Sequence, residues 1–125
     1  MKINVLFSVL FSALVLISGC SDVVSDEYST YAQAKQERLF DRGWLPDILP
    51  KSTVKIEVKN DLDANTSEGS FVINEPALSE FIGKLKPTES ANQFQFVDGE
   101  NVWVFKIGDD SVVSYTLSKR EGKVK

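Results

Sequence analysis

From Thr53 to Lys59 the chain alternates, with Val54, Ile56 and Val58 on one side and Lys55, Glu57 and Lys59 on the other. This is the pattern of a strand buried on one face of an antiparallel sheet. After the polar stretch 60–69, Ser70 to Asn74 reads as a second strand. Leu78, Phe81, Ile82 and Leu85 then recur at helical spacing behind Asn74 and Pro76, a cap and a first-turn proline, and Pro87 stops that helix. Three strands follow: Phe94–Val97, Asn101–Ile107 and Ser111–Ser118. Asp98-Gly99 predicts a type I′ hairpin between the first two. Upstream, Thr30 and Gln33 form a capping box for a helix from Tyr31 to about Arg42, and Gly43 closes it. Trp44 to Pro50 carries two prolines four apart and reads as an ordered loop that plugs the core with Trp44, Leu45, Ile48 and Leu49. The sum is an α+β fold: a single domain with a mostly antiparallel sheet of about five strands and two helices.

The first residues follow a different pattern. Lys2 precedes an apolar run from Val5 to Ile17, too short for a spanning helix of roughly 18–20 residues. The run ends in Leu16-Ile17-Ser18-Gly19-Cys20, which resembles the bacterial lipobox: an aliphatic residue, two small ones, then cysteine. Residues 1–19 are therefore read as a lipoprotein signal peptide and Cys20 as the residue that receives diacylglycerol and acyl chains. A generic secretory signal containing a cysteine is the plainer alternative. Residues 20–29 read as lipidated cysteine and tether, 30–118 as the head domain and 119–125 as a frayed basic tail. The expected location is the bacterial cell envelope, anchored in the lipid bilayer. Ser21, rather than an aspartate, after Cys20 favours the periplasmic face of the outer membrane if the cell is Gram-negative.

Composition narrows the chemistry. The net charge of −4 is wrong for nucleic acid and for adhesion to anionic lipid, both of which need clustered Lys and Arg. There is no histidine and one cysteine, so Ser-His-Asp and Cys-His nucleophiles and nearly all zinc or copper sites are excluded once Cys20 carries lipid. No enzymatic activity and no cofactor are expected beyond the lipid itself.

Three candidate sites remain. Asp61, Asp63 and Asn65 alternate as Ca²⁺-loop oxygens do, but Thr66 stands where the turn glycine belongs and Val72 where a bidentate Glu should be. A turn in which Asp and Asn bond their own backbone is the competing reading. Arg42 and Trp44 suit either a partner contact or a structural plug. Trp103 and Phe105 alternate with Val102 and Val104, so both faces of that strand are apolar, and the face without helices is a docking surface unless the strand is covered on both sides. Asp109-Asp110 reads as a turn.

The strings Tyr31-Ala32-Gln33-Ala34-Lys35, Phe40-Asp41-Arg42-Gly43-Trp44-Leu45-Pro46, Leu49-Pro50-Lys51-Ser52, Asp61-Leu62-Asp63-Ala64-Asn65 and Gly69-Ser70-Phe71 resemble the YbbD-like head-domain group of small bacterial lipoproteins. Ala64 replaces that group's usual threonine, and Lys59-Asn60 stands where a histidine often precedes the acidic run. The resemblance covers roughly residues 28–75. It implies class and location and brings no established activity. Together these readings lead to a membrane-anchored module that binds another envelope protein, with a Ca²⁺-responsive module at Asp61–Asn65 as the alternative.

Overall fold

A computed structural model of the chain describes residues 23–120. The segment read as a signal peptide, the proposed lipidation site Cys20 with the two residues after it, and the last five residues lie outside that range. All strands belong to one antiparallel sheet. They are β1 (Val23–Thr30), β2 (Val54–Asp61), β3 (Thr66–Val72), β4 (Lys86–Pro87), β5 (Gln93–Asp98), β6 (Asn101–Ile107) and β7 (Val112–Lys119), in spatial order β1-β2-β3-β7-β6-β5-β4. Helices α1 (Tyr31–Gln36) and α2 (Ala77–Ile82) complete the fold with a short 3₁₀ turn at Asp109–Ser111.

The α+β expectation holds, but the sheet has seven strands rather than five. From Val23 onward, the stretch read as a tether is β1, paired with β2 from Val23↔Asp61 to Thr30↔Val54. Its core-side positions are Val24, Asp26 and Tyr28, and Tyr28 alone is buried, so an edge strand leaves almost no apolar alternation to read. The other new strand is the two-residue β4. Thr88 N–H bonds to Gln93 O, which places the N position of Pro87 on the outer side of this edge, where proline is tolerated. Lys119, assigned to the tail, is the last residue of β7, and Arg120 N–H continues to the carbonyl of Glu100.

Local chemistry sets the element ends. Thr30 Oγ1 accepts from Gln33 N–H, and Gln33 Oε1 reaches back to Ser29 N–H, a capping box displaced by one residue. Helix α1 stops six residues earlier than the expected Arg42. Arg38 takes φ +67, Leu39 N–H bonds back to Ala34 O and Arg38 N–H to Lys35 O, with Leu39 and Ala34 both fully buried at the stop. Gly43, at φ +86, closes the turn that follows instead of the helix. Helix α2 is capped by the Glu75 carboxylate, which accepts from Ser79 N–H and Oγ–H, rather than by the Asn74 side chain. The β5–β6 hairpin turns on Gly99-Glu100 with only Gly99 at positive φ, a type II′ rather than a type I′ loop.

One face of the sheet is covered. Phe81 of α2 packs edge-on against Phe71 and Phe105, with ring centroids 6.1 and 5.2 Å away, and Phe71 stacks on Tyr115. Leu39, Leu45 and Leu49 from the connection between α1 and β2 join Ile56, Val58, Val113 and Leu117 in the same core. The register itself identifies the second face. Glu27, Glu57, Ser70, Ser114, Lys106 and Gln93 form one row across six strands, and Ser25, Lys59, Glu68, Thr116, Val104 and Gln95 form the next. Neither row holds a buried residue.

Candidate functional site

The Arg42–Pro46 box sits over the covered face. Leu45 is fully buried, Trp44 half-buried and Arg42 exposed. The Trp44 carbonyl accepts the indole N–H of Trp103 at 2.9 Å, so the two tryptophans that the sequence singles out separately meet through the backbone of the box. Arg42 Nη2 donates to the Tyr28 hydroxyl at 3.4 Å and Nε to the Arg38 carbonyl, tying the box to β1 and to the end of α1. Behind Pro46, Asp47 collects two donors from α1: Tyr31 Oη at 2.7 Å and Lys35 Nζ at 3.2 Å. The Tyr31 hydrogen bond first, and then Lys35, hold the Asp47 carboxyl below its ordinary range, while partial burial opposes them. Spacing i, i+4 puts Tyr31 and Lys35 on one helix face, a signal available in the sequence; their joint partner Asp47 was not.

Deeper in the sheet, Ser67 Oγ donates to Asn60 Oδ1 at 2.6 Å and meets Tyr115 Oη at 2.7 Å. Burial pushes the Tyr115 phenol well above its usual range, with the Ser67 hydrogen bond opposing, so the network stays neutral and serves to fix β2, β3 and β7 in register. Gly69 is required beside it. An added Cβ would strike the Glu57 carbonyl oxygen and come within 3.0 Å of the Tyr115 ring.

Trp103 and Phe105 are 2% and 0% exposed and point into the core, so as docking contacts they are corrected to structural residues. Alternation placed them together, but two apolar faces leave it undecided which of them the helices cover. Val102 and Val104 lie on the opposite face, half-buried. In the β2–β3 hairpin, Asp61 Oδ1 accepts from both Asp63 N–H and Ala64 N–H at 3.1 Å, and Asn65 adopts φ +58. The loop thus has the self-bonded turn geometry weighed against a cation site. Among the described residues, no three His, Cys, Asp or Glu side chains gather as a metal-holding group. Asp109-Asp110 forms the 3₁₀ turn into β7.

The uncovered face has the most binding character. Ser25, Glu27, Glu57, Lys59, Glu68, Ser70, Ser114 and Thr116 line an open groove of about 490 Å³ across β1, β2, β3 and β7. Glu27 stands directly opposite Glu57, an unfavourable like-charge pair, and the neighbouring row answers its Glu68 with Lys59. The groove's charged side chains, Glu27, Glu57 and Glu68 against Lys59, leave it acidic. The sequence showed Glu57 and Lys59 as the solvent side of a strand; Glu27 was missed with the strand that carries it.

These features define a class, a small antiparallel-sheet domain with one packed and one open polar face. Residues 22–72, covering β1, α1, the box, β2 and β3, match the family model of the YbbD head domain, the family that the Arg42–Pro46 and Asp61–Asn65 strings resemble. No curated protein and no solved structure matches the chain.

Proposed function

We propose that this chain is a lipid-anchored envelope protein that works by binding rather than catalysis, holding a basic, extended segment of another envelope protein against the open face of its sheet. The observation that carries this reading is the Glu27–Glu57 pair on the edge-strand side of an otherwise largely hydrogen-bonding groove. Two carboxylates opposed on neighbouring strands repel, and a Lys or Arg laid between them relieves that repulsion. The lipobox ending at Cys20 supports the anchor, and the lack of histidine and of any second cysteine supports binding without covalent chemistry.

The test is a titration of the full-length protein in detergent with extended Lys/Arg-rich peptides and their Glu-substituted counterparts. Binding should favour the basic series, weaken as salt rises and disappear in the double variant Glu27→Gln, Glu57→Gln, whose exposed positions leave folding intact. Equal binding of acidic and basic peptides, or none of either, overturns the reading. Crosslinking in native membranes then names the partner.

A further inference from the structure

The register brings the start of β1, the β2–β3 hairpin, the β5–β6 hairpin and the end of β7 to one pole of the sheet, through Val23↔Asp61, Asp61↔Thr66, Ser67↔Leu117, Asn101↔Lys119 and Asp98↔Asn101. The large apolar side chains that the described residues expose are Val23 (44%), Val24 (42%), Leu62 (55%), Val97 (40%) and Val112 (37%), and all but Val112 lie at this pole. Val23, Val24 and Leu62 are neighbours, at the first two positions of β1 and the tip of the adjacent hairpin. Cys20 is three residues before Val23, a covalent reach of at most about 11 Å.

We infer that this pole rests on the lipid bilayer, with Val23, Val24 and Leu62 set into the headgroup boundary beside the acylated cysteine. The inference rests on the anchoring proposed above and adds an orientation to it. The strand leaves no slack, because β1 is already paired with β2 from Val23 onward, so a lipid on Cys20 pins this end of the sheet to the surface. Held there, three small apolar contacts act at high effective concentration, although they would not bind a membrane alone. Charge does not drive the contact: Lys119 and Arg120 share the pole with Asp61, Asp63, Asp98 and Glu100. The strands then rise from the membrane, α1 begins at the far pole, and the acidic groove opens sideways within reach of a neighbouring protein.

Spin labels on Leu62→Cys and, separately, Ala32→Cys in the full-length acylated protein test this, since acylation leaves the introduced cysteine as the reactive thiol. Ala32 is exposed on α1 at the opposite end. After reconstitution into phosphatidylethanolamine/phosphatidylglycerol vesicles, the Leu62 label should lose accessibility to an aqueous nickel reagent and gain it to oxygen, with the Ala32 label unchanged. A protein that floats with the vesicles while both labels stay aqueous overturns the orientation and leaves the anchor standing. A protein that neither floats nor shows the acyl mass on Cys20 overturns the anchor, and the orientation with it.

Discussion

Replacing Gly69 with alanine inverts the usual effect of removing a strand glycine. In a strand interior, Gly is destabilising by roughly 0.5–1 kcal/mol relative to Ala, so the exchange would ordinarily help. Here the new methyl meets the Glu57 carbonyl oxygen, part of the neighbouring strand's backbone, and comes within 3.0 Å of Tyr115 Cε1. Gly69 is paired with Val58 on one side and Tyr115 on the other, so neither strand moves away without breaking ladder bonds. Forcing extra volume into such a site costs about 1–3 kcal/mol. Shifting the Tyr115 ring also pulls its hydroxyl from buried Ser67, a further cost of about 1–3 kcal/mol for a buried polar group left unpaired. Gly69→Ala should therefore lose about 3 kcal/mol, a fall of about 12–24 °C in Tm at 4–8 °C per kcal/mol. Urea unfolding followed by tryptophan fluorescence measures it, with an unchanged m-value as the check that the same two states are compared. A loss below about 1 kcal/mol would refute the reasoning, because it would mean the sheet relaxes around a methyl that it has no room for.

Arg38→Gly should stabilise the domain by about 1 kcal/mol, because a non-glycine side chain is held at φ +67 and its ion pair to Asp41, 3.6 Å on an exposed surface, contributes little; thermal melting reads the gain. Asp47 has a folded pKa below its unfolded value, so its contribution is complete above the unfolded carboxylate pKa of about 4 and is lost as pH falls through the folded value. Asp47→Asn should accordingly flatten the acid limb of the stability–pH profile and leave the neutral part parallel to wild type, the alkaline limb changing too because Asp47 raises the pKa of Lys35 and of Tyr31. Asp61→Ala removes the acceptor of two backbone N–H groups in the β2–β3 turn and should cost about 1 kcal/mol. Millimolar Ca²⁺ should not move the wild-type unfolding midpoint, whereas a loop that coordinates the ion would raise it.

The elements legible in the sequence were those whose two faces differ. Val54, Ile56 and Val58 against Lys55, Glu57 and Lys59 specified β2 almost to its ends. Strand β1 was hidden because this edge strand buries one residue, Tyr28, and carries Asp26 on its core side. The end of α1 was misplaced because a left-handed arginine, not the glycine that attracts attention, stops it. The site was harder to read. Asp47 with Tyr31, and Ser67 with Tyr115 48 positions away, are tertiary pairs that no local pattern announces. The like-charge pair of the groove appears only once β1 and β2 are in register.

The family match ends at Val72, and Val72 is also where β3 ends. Everything after it reaches the matched segment along the seam of β3 against β7, through Phe71 meeting Phe81 and Phe105, and through the Trp103 indole N–H on the Trp44 carbonyl. That seam is a socket. It asks of the rest of the chain an antiparallel strand with apolar residues at the positions of Val113 and Leu117, a phenol at Tyr115 for Ser67, an aromatic to close over Phe71 and an N–H donor for the Trp44 carbonyl. The matched segment thus sets a strand edge, an apolar surface and an indole acceptor that the rest of the chain has to meet in the right register.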